Sequence, residues 1–180
     1  MAEHIITLAD HEARRLAEAG TLLVVRPIKS LFGSESWDAQ FAYEGRDGPS
    51  LKAWAEASPL GVPGDVLVCK EAWLFTGLRT VYRATDPQWG EICEWNPAST
   101  MPRRAVRFRP VVCEAGVMRI DDITYGQCID MGLDMSGVEY EPGWDTAPLV
   151  RYWNRRFRKY PWEDNPWCWF ARVERENDHA

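Results

Sequence analysis

The chain has 180 residues, 46% of them apolar and 27% charged, a balance that suits one folded domain with a real core and excludes an intrinsically disordered chain. Its net charge of −6 excludes attraction to nucleic acid over the whole surface and leaves a local basic patch as the electrostatic route to such a ligand. Five cysteines without a Cys-x-x-Cys pair, and histidines only at His4, His11 and His179, predict no metal site, no cofactor and no disulfide framework, as in a reducing compartment. No apolar run approaches membrane length and no charged-then-apolar leader opens the chain, so a soluble intracellular protein with no membrane partner is expected.

Ile5-Ile6 reads as a short opening strand. Leu8, Glu12, Ala13, Leu16 and Ala17 recur at helical spacing, and Gly20 closes that helix as a C-terminal cap. Leu22 to Val25 is a second strand, ending at Arg26-Pro27. Residues 32–59 are punctuated by glycine and proline and read as an insert, with a hairpin around Ala39 to Gly48. Pro63-Gly64-Asp65 is turn chemistry, and Val66 to Cys69 is a short buried strand followed at once by Lys70-Glu71.

Thr80 to Ala84 alternates like a half-exposed strand, and Thr85 to Met101 is a loop rich in Trp, Pro, Asn and Ser. Ala105 to Val112 alternates again, with Val106 and Phe108 on one face and Arg107 and Arg109 on the other. Val117 to Ile120 continues that sheet. Thr124 and Gln127 form a capping box, with Ile123 placed to staple onto Cys128, and Gly132 ends the short helix. Leu149, Val150, Trp153 and Phe157 mark the apolar face of a helix from Leu149 to Tyr160. Trp167 to Val173 is the closing strand, entered by a turn in which Asn165 bonds its local backbone. A polar tail begins near residue 174. The fold class is therefore α+β: a small, mostly antiparallel barrel with about three flanking helices, in a single domain over residues 1–180.

The order of these pieces resembles the ASCH-type, PUA-like proteins encoded by many phages and prophages. The matching residues are the helix ending Ala19-Gly20, the strand ending Arg26-Pro27-Ile28-Lys29, Pro63-Gly64-Asp65 with Leu67 and Val68, and the run Lys70, Glu71, Ala72, Trp73. Tyr82-Arg83-Ala84, Met101-Pro102-Arg103, the helix after Asp122-Ile123 and Asn165 to Trp169 complete the set. The resemblance implies a PUA-like barrel with a cleft beside the first helix, in a cytoplasmic protein (the host cytoplasm where a phage encodes it). Relatives of this fold bind RNA or modified bases; one bacterial group removes the acetyl group of N4-acetylcytidine, and another is reported as a ribonuclease. Aligned on Arg26, this chain has Thr21 where the family's catalytic lysine stands and Leu22 where its first threonine stands. Val24 and Val25 fall at the second threonine and first arginine. Neither leucine nor valine can act as base or nucleophile, so the amidohydrolase chemistry is not expected to be inherited.

The expected cleft gathers Gly20, Thr21, Arg26, Lys29, Lys70, Glu71, Trp73, Tyr82, Arg83, Arg103 and Arg104. Its task is to bind RNA or a nucleotide-like ligand: Arg26, Arg103 and Arg104 hold phosphate, Glu71 reads a base edge, and Trp73 or Tyr82 stacks. The alternative is a hydrolase of a modified nucleoside with Glu71 as catalytic base and Lys70 as its partner. A third is a phage accessory protein that binds a host protein. Against all of these stands a structural role in which Glu71 pairs with Arg26, Arg83 or Arg103. Arg107 and Arg109, on one strand face, suit a phosphate backbone or a solvated face paired with carboxylates. The segment from Leu149 to Tyr160 interleaves Arg151, Arg155, Arg156, Arg158 and Lys159 with four aromatic rings, which suits single-stranded nucleic acid or an ordinary amphipathic helix.

Overall fold

A computed structural model of the protein describes residues 1–28, 53, 56–140 and 143–175. The expected hairpin at Ala39 to Gly48, most of the insert, and Lys29 lie outside them. In chain order the elements are β1 (Glu3–Thr7), α1 (Asp10–Ala19), β2 (Thr21–Pro27), β3 (Val66–Lys70), β4 (Trp73–Phe75), β5 (Thr80–Tyr82), β6 (Val111–Arg119), α2 (Tyr125–Asp130), α3 (Ala147–Arg156) and β7 (Trp167–Glu174). Single 3-10 turns occur between several of them.

The Pro63-Gly64-Asp65 turn starts the sheet. Gly64 takes a φ of 94° that a side chain would resist. The Asp65 carboxylate accepts from the backbone N–H of Ala2 at 2.6 Å and lies 3.1 Å from His4 Nε2, which ties the entry of β1 to the entry of β3. These two strands run parallel from Glu3↔Val66 to Thr7↔Lys70. The remaining ladders of the sheet are antiparallel, in the order β1-β3-β6-β7-β2, and β4 pairs with β5 as a separate ribbon. The architecture is α+β with a mixed five-stranded sheet. Among the described residues no backbone ladder joins β1 to β2, so the described sheet is open where a barrel was expected.

Strand β2 is buried on both faces, which explains its unbroken Leu22 to Val25 run. Leu22 and Val24 join the core under α1, with Leu16, Leu67, Cys69, Phe108 and Val173. Leu23 and Val25 point the other way, into a second core built with Cys128, Met131, Leu149 and Trp153 from the α2 and α3 side. Full burial of each leucine stabilises the fold by roughly 1.5–3 kcal/mol. Helix α1 ends at Gly20 in the left-handed region (φ 72°), with the glycine N–H on Leu16 O. Helix α2 begins with the expected reciprocal pair: Thr124 Oγ1 accepts from Gln127 N–H, and Gln127 Oε1 accepts from Thr124 N–H.

Two expectations change. The stretch 105–112 is not a continuous strand: Arg103–Ala105 is a 3-10 turn and only Val111 and Val112 enter β6. Contact with β3 is therefore broken into an isolated bridge at Cys69↔Phe108 and the single pair Val66↔Val111; Cys69 N–H donates to Phe108 O and Leu67 N–H to Pro110 O, and Pro110 has no N–H to return. Asn165, at φ 43°, bonds its own turn through its backbone N–H to Trp162 O, while its side chain turns to Asp121, donating from Nδ2 to the carboxylate and accepting the Asp121 N–H at Oδ1.

Candidate functional site

Two carboxylates are buried and each is held by arginine: Glu12 on α1 and Glu71 directly after β3. Glu12 is 1% exposed and lies on the core face of α1. Its Oε1 and Oε2 accept from Arg26 at 2.7 and 3.1 Å, and Oε2 also takes the Ala9 N–H at 2.7 Å. Arg156, from the last turn of α3, approaches the same Oε2 at 3.5 Å. Both guanidinium groups donate to the Thr7 carbonyl, at 3.0 and 3.2 Å. The seam between β1 and β2 is thus bridged by side chains instead of a ladder. Burial alone would push the Glu12 carboxyl up; the charges of Arg26 and then Arg156, with the Arg26 and Ala9 hydrogen bonds, outweigh it and hold the group below the usual carboxylate range. His11 beside it stacks edge-on against Tyr152 at 4.9 Å. Burial lowers the imidazole pKa, and Nε2 has no hydrogen-bond partner among the described residues.

Glu71, also 1% exposed, is gripped by Arg107 instead of the expected Arg26, Arg83 or Arg103. Arg107 donates from Nε and Nη2 to the two oxygens at 2.8 and 2.9 Å, and from Nη1 to Thr85 Oγ1 at 3.1 Å. The same guanidinium lies 4.1 Å from the Tyr82 ring centroid, a cation–π geometry, while the Tyr82 hydroxyl donates to Ala105 O at 2.8 Å. Burial raises the Glu71 pKa, and the Arg107 hydrogen bonds and charge only partly offset it. Cys69 lies within the field of both acids; its thiol is pushed well up by burial, so it is a core residue.

The other expected site residues scatter around this centre, mostly with their charges already matched. Arg83 donates to Asp10 at 2.8 Å. Arg103 and Arg109 both pair with Glu3, so Arg107 and Arg109 face different carboxylates instead of one phosphate chain. Lys70 Nζ reaches the Ser99 carbonyl at 3.4 Å, not Glu71. Trp73 is half-buried, with Nε1 donating to Thr100 Oγ1. Gly20 acts as the α1 cap, and Thr21 begins the β2 ladder opposite Glu174. Arg104 is exposed and has no partner among the described residues.

A different set of cations is open. Arg151, Arg155, Arg158 and Lys159 are exposed and have no acidic partner among the described residues. Arg155 and Arg156 complement the negative end of the α3 dipole. That account does not extend to Arg151 in the middle of the helix or to Arg158 and Lys159 beyond it. A shallow cavity of about 390 Å3 is lined by Arg155, Arg156, Phe157, Arg158, Lys159 and Tyr160. Arg155 also walls a second cavity, of about 520 Å3, together with His11, Asp134, Pro148, Arg151 and Tyr152. The interleaving of basic and aromatic residues was visible in the sequence, but the Leu149 to Tyr160 helix stops at Arg156, which releases Phe157 to Tyr160 to form the shallow floor.

Among the described residues no group of His, Cys, Asp or Glu is placed to hold a metal ion, and no helix is long and apolar enough to cross a membrane. Comparison with protein-family models, with curated proteins and with solved structures finds no match to this chain.

Proposed function

We propose that this chain is an ASCH-type, PUA-like domain that binds single-stranded RNA or a related phosphate-bearing strand through the basic segment at the end of α3. The observation that carries the reading is that four cations of one segment, Arg151, Arg155, Arg158 and Lys159, all lack acidic partners among the described residues of a protein with net charge −6, whereas Arg104 and Lys70, which also lack them, stand apart in the chain. A protein with an acidic excess offers many carboxylates to neutralise a surface arginine, and it does so at Arg26, Arg83, Arg103, Arg107 and Arg109. An anion from outside is the natural counterpart of those that stay open. Phe157 and Tyr160 at the same depression offer ring surface on which bases stack. The side-chain bridge from Arg26 and Arg156 to Thr7 fits a PUA-like barrel closed at its seam without a ladder. Filter binding of short RNA and DNA oligonucleotides over a range of salt tests the proposal: affinity falling steeply with salt is expected, and absent or salt-insensitive binding overturns it.

The nucleoside-hydrolase reading has one observation in its favour, a buried acid whose pKa is raised. Against it, both Glu71 oxygens receive Arg107 hydrogen bonds and Lys70 is turned to Ser99. Incubation with N4-acetylcytidine is expected to give no turnover; turnover abolished by Glu71→Gln would reinstate the hydrolase.

A further inference from the structure

We propose that the 520 Å3 cavity between α1, the turn at Gly132 to Asp134 and α3 seats one nucleotide of the bound strand and prefers bases that carry an amino group. The inference rests on the nucleic-acid reading above and adds to it a place where a base is read.

The volume lies within the range of roughly 300–1,000 Å3 common for small-molecule sites. The walls divide by chemistry. Arg151 and Arg155 are four residues apart and share a face of α3. Two like charges side by side with no acidic partner among the described residues suit a phosphate group, which takes several N–H donors at once. Pro148 and the edge-on His11–Tyr152 ring pair supply the apolar side against which a base lies. Asp134 stands at the same wall as an acceptor. Its Oδ1 takes the Ser136 N–H at 2.9 Å, and the hydrogen bonds from Ser136 lower its pKa, so it stays ionised near neutral pH.

An ionised carboxylate accepts hydrogen bonds and donates none. It therefore favours cytosine, adenine and guanine, which present amino N–H groups. Uracil turns carbonyl oxygens toward it on either side of a single N–H. Arg155 is common to this cavity and to the shallow one floored by Phe157 and Tyr160, so a strand lying along Arg158 and Lys159 leads directly to it.

The test titrates the protein with CMP, AMP, GMP and UMP at low salt, following chemical shifts, with short oligonucleotides measured in parallel. Saturable binding is expected, with UMP roughly tenfold weaker than CMP. Asp134→Ala should erase that preference, and Arg151→Ala should weaken all four monophosphates alike. Equal affinity for the four, or a preference that survives Asp134→Ala, overturns the assignment. If oligonucleotides bind with salt dependence and the monophosphates do not bind, the cavity is not a base-reading site and the nucleic-acid reading stands. If neither binds, the nucleic-acid reading falls and the cavity assignment with it.

Discussion

Arg26 donates to both oxygens of Glu12, at 2.7 and 3.1 Å, while the same guanidinium reaches the Thr7 carbonyl. One ion pair therefore joins helix α1, strand β2 and the end of strand β1 across the open edge of the sheet. Glu12→Gln would leave Arg26 and Arg156 facing a neutral amide at a position that is itself 1% exposed. Removing one partner of a buried pair costs about 3–5 kcal/mol, and for a domain of this length each kcal/mol is worth about 2–4 °C. A fall in melting temperature on the order of 10 °C is expected by circular dichroism. Because the folded-state pKa of Glu12 is lowered from about 4.5, its contribution is fully present above that value and is lost as pH falls through the folded pKa. The gap between wild type and Glu12→Gln should narrow in acid. A gap that stays constant down to the acid transition would count against this origin.

Glu71 has the opposite linkage. Its folded-state pKa is raised from about 4.5 by burial, so ionising it costs the fold, and wild-type stability from this group falls as pH rises through the window above that value. Glu71→Gln removes the dependence. The variant should lose less than Glu12→Gln, since Arg107 is 25% exposed and can turn its charge to water. Its deficit relative to wild type should shrink as pH climbs through the same window. Urea denaturation at several pH values measures both slopes; a deficit that grows with pH would contradict the assignment.

Local chemistry was legible in the sequence wherever a short stretch dictates its own geometry. Gly20, Gly64 and the Thr124–Gln127 pair announced a cap, a turn and a helix start, and the Leu22 to Val25 run announced a strand, whose burial on both faces only the packing shows. Partnerships between distant residues were not legible. Glu12 occupies a core position of the α1 stripe, and an acid there was the signal of a buried pair, but nothing local names Arg26 and Arg156 as its partners. Glu71 meets Arg107, 36 residues away, because the antiparallel bridge between Cys69 and Phe108 brings Arg107 beside the end of β3. Alternation in 105–112 concealed Pro110, which has no N–H to give to a ladder. The open cations of α3 could be seen as a basic aromatic segment; that they lack acids, while Arg103 does not, is a fact of tertiary packing.

Gly132 offers a test of the turn that walls the His11 cavity. Its φ of 77° is strained for any side chain, and an added Cβ would lie 2.5 Å from the His11 carbonyl oxygen and 2.9 Å from Arg15 Cβ. Gly64 has a similar φ of 94° with nothing within 4 Å of that position. Left-handed backbone at a residue other than glycine costs roughly 1–3 kcal/mol. Gly64→Ala should show that cost alone, whereas Gly132→Ala should add a clash with backbone that cannot swing aside. Equal losses in urea denaturation would mean that α1 yields at His11.

The decisive comparison for the nucleic-acid reading pits two pairs of basic residues against each other. Arg158→Ala with Lys159→Ala removes cations that have no acidic partner among the described residues, whereas Arg103→Ala with Arg104→Ala removes one residue already bound to Glu3 and one exposed neighbour. For a single strand, each cation that no longer neutralises a phosphate should lower the slope of log affinity against log salt by roughly 0.7. The first pair is expected to lower both affinity and slope, and the second to leave the slope close to wild type. Both double variants should keep the wild-type melting temperature within a few degrees, since all four side chains lie at the surface. If the Arg103 and Arg104 changes reduce the slope as much as the Arg158 and Lys159 changes, the strand follows the rim near Glu3 and not the end of α3.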